Sequence, residues 1–183
     1  MKMKFMEKNS YKNALTDSMT YLGQQEDTIF IGQQVLWHGN PMSTTLDGVP
    51  KDKLIEVPVM EESQMGMSLG MAMAGKFVIT FYPRWDFLIC ATNQLVNHVD
   101  KITSMSQGKW NPNMIIRLGK GSDKPLDPGH QHKGNYLEEF KSMCPNITFW
   151  DLTTPDHIEE TYKNAYELGG IFVIVEYPEL YYI

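Results

Sequence analysis

The sequence is poor in the features that mark several classes of protein. Only 2 of its 183 residues are cysteine, Cys90 and Cys144, and their wide separation argues against a disulfide scaffold and suits a reducing compartment. Basic side chains are few: 16 Lys and Arg stand against 22 Asp and Glu, a formal net charge of −6. An acidic chain does not favour a nucleic-acid binder, because such proteins usually carry a basic patch.

Apolar runs of membrane-spanning length are also missing. The uncharged stretch 63–75 has thirteen residues and includes Gln64 and Ser68, whereas a span needs about 20 predominantly apolar residues. The first residues carry charge and lack the apolar run of a secretory signal. We therefore expect a cytoplasmic protein that does not enter a membrane, with residues 1–9 as a flexible tail and 10–183 as one domain.

Short apolar runs alternate with helical patterns along the chain. Runs such as Thr28–Ile31, Phe77–Phe81 and Ile171–Val175 are typical of buried strands. Apolar residues at helical spacing predict helices over 10–22, with the first residue as N-cap, and over 87–102. This alternation predicts an α/β fold, a three-layer open sheet that is mostly parallel and has helices on both faces.

A carboxylate lies where a short predicted strand ends and a helix predicted over 61–74 begins. Glu61 has two interpretations. It is either a helix N-terminal acid, stabilised by the helix dipole by about 0.3–1 kcal/mol, or a functional group at the carboxyl edge of a parallel sheet, where ligands bind in open α/β folds. Along the helix, Gly66, Gly70 and Ala74 form a small-residue ridge that allows another backbone to approach, and methionines fill the remaining gaps.

Three other patterns each allow a structural and a functional interpretation. The aromatic cluster 81–87 either packs in the core or stacks on a flat ligand ring. His130 and His132, with Asp127 nearby, either belong to a polar loop or begin a metal site, although no third histidine or cysteine has useful spacing. The segment 119–122 follows a strand, as phosphate loops do, but lacks the full glycine pattern of those loops.

Five motifs in order resemble the pyrimidine-binding domain of the transketolase superfamily, and most of all the beta subunits of pyruvate and branched-chain 2-oxoacid dehydrogenases. The first is acidic-x-Pro-x-x-Glu at 56–61, followed by a glycine-alanine helix that ends in Ala-Gly at 65–75. The others are Trp-Asp-Phe at 85–87 with Ala91 and Gln94, Gly-His-Gln-His at 129–132, Thr-Thr-Pro-Asp at 153–156 and Phe-Val-Ile-Val-Glu at 172–176. The resemblance covers almost the whole chain and implies the thiamine diphosphate-binding fold.

The resemblance implies two catalytic residues. Glu61 is in register with the family's catalytic glutamate, which hydrogen-bonds a ring nitrogen of the aminopyrimidine of thiamine diphosphate and helps to generate the cofactor's ylid. Glu62, one residue out of register, is the alternative. His132 matches the histidine that faces the substrate, where it orients a carboxylate or handles protons.

The resemblance also implies which residues contact the cofactor and the substrate. The residues implied to line the pyrimidine pocket are Phe81, Trp85 and Phe87. Arg84 replaces an aromatic residue of the transketolases, so either Trp85 takes over the stacking or Arg84 contacts an anionic substrate group. The candidates for substrate contact are Arg84, His38 and His130.

The family's further C-terminal domain and its magnesium-binding Gly-Asp-Gly…Asn motif are not found in this sequence, which offers no metal-ligand set of its own. The resemblance therefore implies a split enzyme. An alpha-type partner subunit supplies the diphosphate and Mg²⁺ site in an alpha2beta2 hetero-oligomer, and the cofactor acts on a 2-oxo acid or a ketose by cleaving the carbon–carbon bond next to the carbonyl. The alternative is a non-catalytic binding or regulatory subunit that retains the fold.

Overall fold

A computed structural model describes residues 10–124 and 126–182 of the chain. The tail expected over residues 1–9 lies outside this described part. Six parallel strands form one sheet in the order β2-β1-β3-β4-β6-β5. The strands are β1 Thr28–Gly32, β2 Leu54–Glu56, β3 Phe77–Tyr82, β4 Asn113–Gly119, β5 Thr148–Asp151 and β6 Ile171–Glu176.

Helices cover both faces of the sheet, which confirms the predicted three-layer α/β fold. The α-helices are α1 Tyr11–Gly23, α2 Glu61–Met73, α3 Trp85–Ile89, α4 Ile102–Met105, α5 Leu137–Met143 and α6 Ile158–Leu168. As predicted, Ser10 caps α1, since its Oγ accepts a hydrogen bond of 3.3 Å from the backbone N–H of Asn13. No helix within the described residues is long and apolar enough to cross a membrane.

The sheet separates two hydrophobic cores. One contains α1 and α6, and the other contains α2, α3 and α5. Val78 and Ile79, neighbours in β3, lie in different cores because successive side chains of a strand point to opposite faces. All six residues of β3 are consequently buried, which explains why its sequence is a continuous run without polar alternation.

The prediction of a helix over 87–102 is confirmed for the buried face, but it is wrong in expecting one regular helix. The apolar positions that define the face are all buried: Leu88, Ala91, Leu95, Val99 and Ile102. The backbone, however, divides into α3, a π-helical segment Gln94–Val99 and α4. The hydroxyl of Thr92 donates to the carbonyl of Ile89 at 2.7 Å, a local bond that competes with the regular helical ladder.

Helix α2 is buried on one side only. Gln64, Met65 and Leu69 lie in the interior, whereas Met67 is 42% exposed. At Gly70, no described residue lies within 4 Å of the position that a Cβ would take. The small-residue ridge is therefore open to a neighbouring chain around Gly70, whereas a Cβ at Gly66 would lie 3.6 Å from the side chain of Gln94.

Candidate functional site

A cleft of about 510 Å³ opens at the carboxyl edge of the sheet. The loops that follow β1, β3, β4 and β6 form its walls, because the carboxyl ends of parallel strands meet at the same edge. Its lining includes Gln33, Gln34, Asn40, Arg84, Phe87, Lys120, Ser122, Lys124 and Tyr182. The predicted ligand edge of the sheet thus carries a cleft with polar, cationic and aromatic side chains.

Glu61 is the first residue of α2 and is half-buried beside this cleft. The side-chain amide of Gln33, which lines the cleft, donates a hydrogen bond of 3.1 Å to Oε1 of Glu61. The hydroxyl of Tyr82 donates to the backbone carbonyl of Glu61 at 3.0 Å, and burial raises the pKa of Tyr82, so it stays a donor. The loop after β1 thus fixes the side chain of Glu61 through Gln33, and β3 fixes its backbone through Tyr82.

Glu62, the alternative to Glu61, has a different partner. The side-chain amide of Asn93 donates to its Oε1 at 2.7 Å, a bond that joins α2 to the segment after α3. Of the two carboxylates, Glu61 is therefore the one connected to a residue of the cleft.

Phe87, which lines the cleft, contacts His132 although 45 positions separate them in the sequence. Their ring centroids lie 5.4 Å apart with the planes inclined at 58°. The buried Nδ1 of His132 has no hydrogen-bond partner among the described residues. Because an unpaired buried polar atom costs about 1–3 kcal/mol, this nitrogen is suited to a ligand or a water molecule.

The loop that carries His132 is held close to the cleft. The backbone N–H of Gly134 donates to Oδ2 of Asp86 at 3.3 Å, next to Phe87 in α3. A Cβ at Gly121 would collide with the backbone of His132 and Lys133, so glycine is required where the two parts of the loop cross. These contacts place the histidine side chain against the aromatic wall.

The amino-acid sequence of the chain matches a known protein family. The family model described as "Transketolase, pyrimidine binding domain" matches residues 7–182. The chain belongs to this family. Its curated relatives include the pyruvate dehydrogenase E1 component subunit beta of Gracilaria tenuistipitata var. liui, 25% identical over 173 residues that make up 92% of this chain and 53% of the relative. The corresponding subunit of Cyanidium caldarium is 26% identical over 163 residues, which cover 87% of this chain and 49% of that protein.

A solved structure of a split-gene transketolase, an inactive beta4 tetramer, has the same fold as this pyrimidine-binding domain. The TM-score is 0.71 at 15% sequence identity, and the match covers 93% of this chain and 52% of that one. The chain thus spans about half the length of the curated relatives and of the solved structure that it matches.

Two of the three aromatic residues expected in the pyrimidine pocket lie in the core of the domain. Trp85 is fully buried and packs against Phe140, with ring centroids 5.3 Å apart. Phe81 is buried on the opposite face of the sheet, where the guanidinium of Arg117 lies 4.9 Å from its ring centroid. Of the three residues, only Phe87 lines the cleft, and the roles of Phe81 and Trp85 in a pyrimidine pocket stay predictions.

The three candidates for substrate contact separate in the structure. Arg84 lines the cleft. His38 lines a different cavity of about 440 Å³, where its Nε2 lies 2.8 Å from Oδ1 of Asp47, and His130 is exposed in its loop. Neither histidine lies at the cleft. The alternative of a metal site at 130–132 finds no ligand set, since the described residues contain no group of three or more His, Cys, Asp or Glu that could hold a metal ion.

The sequence analysis missed Gln33, and it included Glu56 only as the acidic residue of a motif, yet both residues shape the site through the loop after β1. Gln33 holds the carboxylate of Glu61, as described above. The carboxylate of Glu56, at the end of β2, accepts hydrogen bonds from the backbone N–H of Gln34 at 2.7 Å and of Leu36 at 3.2 Å. These bonds stabilise a loop in which Gln34 has a positive φ of 60°.

A buried ion pair, also missed, anchors the walls of the cleft. Arg117 and Glu176 form a bidentate pair with N–O distances of 2.6 and 2.7 Å, and both side chains are fully buried. Arg117 also donates to Thr45 at 3.1 Å, in the loop after β1. The hydroxyls of Tyr162 and Tyr181 donate to Glu176. An arginine inside the apolar run 114–118 was the available signal, because buried charges occur mainly in pairs.

Proposed function

We propose that this chain is the pyrimidine-binding subunit of a thiamine diphosphate-dependent enzyme, with Glu61 as the residue that acts on the cofactor. The observation that supports this most directly is the half-buried carboxylate of Glu61 at the carboxyl edge of the sheet, with Oε1 held by Gln33. No described residue donates to Oε2, which is therefore free to meet a ligand. When bound, the cofactor supplies a nucleophilic carbon that adds to a substrate carbonyl.

The hydrogen bond from Gln33 determines which carboxyl oxygen of Glu61 can carry a proton. The amide nitrogen of Gln33 only donates, so Oε1 of Glu61 acts as the acceptor. A proton on the carboxyl group then resides on Oε2, from which it can be donated to a ring nitrogen of the aminopyrimidine. Glu61 is in this way a general acid whose two oxygens have separate tasks.

Phe87 and His132 complete the part of the site that this chain contributes. Phe87 offers an apolar wall at the cleft. His132, with its unpaired Nδ1 beside Phe87, orients the carboxylate of a 2-oxo acid or handles a proton. The residues present therefore fit the aminopyrimidine end of the cofactor.

The diphosphate end of the cofactor and its Mg²⁺ belong, in this proposal, to an alpha-type partner subunit in an alpha2beta2 assembly. The relatives that the chain matches support this division, because each is named as the beta subunit of the pyruvate dehydrogenase E1 component. The open ridge of α2 is the proposed contact surface. The substrate class is a 2-oxo acid or a ketose, and the assembly acts in the cytoplasm.

The experiment that tests the proposal begins with a tagged copy of the chain, purified from its native host together with bound proteins. Mass spectrometry is expected to identify a partner that contains Gly-Asp-Gly followed downstream by Asn. The complex is expected to turn over 2-oxo acids or ketoses only when thiamine diphosphate is present. A complex that neither binds the cofactor nor shows cofactor-dependent turnover would contradict the proposal and support the non-catalytic regulatory subunit instead.

A further inference from the structure

A second cavity lies outside the cleft and has no part in the chemistry proposed for Glu61. It measures about 440 Å³ and is formed by the connection between β1 and β2. Its floor is apolar, because the buried residues Val35, Leu46 and Val49 line it. Cavities of about 300–1,000 Å³ with apolar walls and a few polar groups are typical of small-molecule sites. This cavity therefore has the size and the walls of a ligand site.

Two large apolar side chains are exposed at this cavity. Trp37 is 56% exposed and its neighbour Leu36 is 46% exposed, although both line a cavity whose floor is buried. Removing such apolar surface from water is favourable, and the face of a tryptophan ring suits contact with a flat or branched apolar group. The cavity is therefore suited to a ligand with an apolar body.

The charged groups of the cavity favour an anionic end on that ligand. Asp47 already has a partner, since its Oδ1 lies 2.8 Å from Nε2 of His38. Lys51 also lines the cavity, and none of the ion pairs within 10–124 and 126–182 involves it. An ammonium group has three N–H donors and forms strong hydrogen bonds with a carboxylate. The charge of Lys51 is thus the one that a ligand can neutralise.

The floor of the cavity is held in place by the fold. The backbone N–H of Leu46 donates to the carbonyl of Ser43 at 3.2 Å, and that of Val49 donates to the carbonyl of Leu46 at 2.9 Å. A Cβ at Gly48 would collide with the side chain of Thr20 in α1, so this turn packs directly on the helix. A preformed site loses little conformational freedom on binding, which favours affinity.

One loop separates the cavity from the cleft. Residues 35–38 line the cavity, whereas Gln33, Gln34 and Asn40 of the same loop line the cleft. The side-chain amide of Asn40 donates to the carbonyl of Gln33 at 3.4 Å, which joins the two ends of the loop. A ligand in the cavity therefore contacts the loop that carries Gln33, the residue bonded to Glu61.

We propose that this cavity binds a small carboxylic acid with an apolar body. The carboxylate is bound by Lys51, the apolar body contacts the buried floor, and Trp37 covers it. Because one wall is the loop that carries Gln33, binding also perturbs Gln33 from the side away from the cleft. The cavity is in this way a second ligand site, beside the cleft and separate from it.

The test uses the isolated full chain and phenylacetate, an aromatic carboxylate, in a two-dimensional NMR titration. We expect saturable shifts of the amides of residues 35–38 and 46–49, and of the side-chain amide of Gln33. Absence of saturable shifts would overturn the proposal. Shifts confined to residues 84–87 and 119–124 would place the ligand in the cleft and would overturn it as well. Unchanged signals of Gln33 at saturation would contradict the link through the loop.

Two variants test the assigned contacts, and the same spectra show whether each is folded. Trp37→Ala is expected to weaken the binding of phenylacetate by at least about 10-fold, or about 1.4 kcal/mol. Lys51→Met is expected to weaken it by at least about 3-fold, within the range of an exposed ion pair. Trp110→Ala and Lys76→Met are the matched controls, since both residues are exposed and neither lines the cavity. An equal loss of affinity in the controls would overturn the proposal.

Two related compounds test the class of ligand. Phenylacetamide has a similar shape without the charge, so it is expected to bind at least about 3-fold more weakly than phenylacetate, and Lys51→Met is expected to abolish this difference. Acetate lacks the apolar body and is expected to cause no saturable shifts. Equal affinity of the parent chain for phenylacetate and phenylacetamide would overturn the assignment to a carboxylic acid. The titrations do not depend on turnover, so this inference can fail while the role of Glu61 stands, and the reverse also holds.

Discussion

The side-chain amide of Gln33 donates a hydrogen bond of 3.1 Å to Oε1 of Glu61, across 28 positions of sequence. Gln33 directly follows β1, and Glu61 is the first residue of α2 in the connection after β2, so both lie at one edge of the sheet. The bond gives one carboxylate oxygen a fixed acceptor role and leaves the other to a ligand. It also links the glutamate to the loop that Glu56 stabilises.

Removing the donor at Gln33 is expected to slow the reaction without unfolding the chain. In Gln33→Ala, the carboxyl group of Glu61 can rotate and place its proton on either oxygen. We therefore expect kcat of the assembled enzyme to fall about 10-fold, which corresponds to the energy of roughly one charge-assisted hydrogen bond. Gln24→Ala, at an exposed glutamine beyond α1, is the control and is expected to leave kcat unchanged. An unchanged kcat in Gln33→Ala would show that the bond does not position Glu61.

The buried pair of Arg117 and Glu176 is expected to dominate the stability of the cleft walls. Glu176→Gln leaves the guanidinium buried and uncompensated, so the free energy of unfolding in urea is expected to fall by about 3–5 kcal/mol. Arg117→Met combined with Glu176→Met removes both charges and is expected to be less destabilising than the single change.

An exposed ion pair provides the contrast. Lys163 and Glu167 on α6 lie 3.7 Å apart at the surface, and Lys163→Met is expected to change the free energy of unfolding by less than about 1 kcal/mol. A loss in Glu176→Gln no larger than in Lys163→Met would contradict the anchoring role of the buried pair.

The two cysteines are expected to differ in reactivity. Cys90 is exposed, whereas Cys144 is buried, and this burial raises the pKa of the Cys144 thiol to about 12. At pH 8 a thiol reagent is therefore expected to label one thiol rapidly, and Cys90→Ser is expected to abolish the rapid phase. Rapid labelling of Cys144 in the folded chain would contradict its buried position.

The same pKa predicts how stability depends on pH at Cys144. Because the folded-state pKa is raised above the ordinary value of 9.0, the protonated thiol is favoured in the fold. The stabilisation of the fold by the protonated thiol of Cys144 is complete below about pH 9 and is lost as the pH rises towards 12. Urea unfolding of Cys144→Ala is accordingly expected to show a smaller decline in stability over this range than the parent chain shows.

The exposed face of α2 is expected to lie in a subunit interface. A Cβ at Gly70 meets no described residue within 4 Å, so Gly70→Glu is expected to leave the isolated fold intact while placing a charge on the contact surface. Analytical ultracentrifugation is expected to show weaker assembly. Leu168→Glu adds the same charge at an exposed position of α6 on the other face of the sheet and is expected to leave assembly unchanged. Unchanged assembly in Gly70→Glu would contradict the interface.

The strands could be predicted from the sequence because a strand that is buried on both faces has a continuous run of apolar residues. The runs that form β3 and β6 are apolar almost throughout, and the structure places each of them between two neighbouring strands, away from the edges of the sheet. Glu61 could also be located, because it lies at the junction of a strand and a helix, and such junctions define the carboxyl edge of a parallel sheet.

The orientation of neighbouring aromatic residues could not be predicted. Trp85 and Phe87 belong to one short helix, where a separation of two positions turns their side chains about 200° apart. One of the two must face the core when the other faces the cleft, and the sequence gives no means of choosing. The contact of Phe87 with His132, and that of Gln33 with Glu61, depend on long loops whose paths are set by distant hydrogen bonds.

The most direct test of the account compares the two adjacent glutamates in the cofactor-loaded complex. Glu61→Gln removes the proton that the proposal assigns to Oε2, so turnover is expected to fall by at least about 10²-fold, the lower end of general acid–base contributions. Glu62→Gln disturbs only the bond with Asn93 and is expected to retain most of the activity. Full turnover in Glu61→Gln, with the loss appearing in Glu62→Gln instead, would contradict the assignment of Glu61.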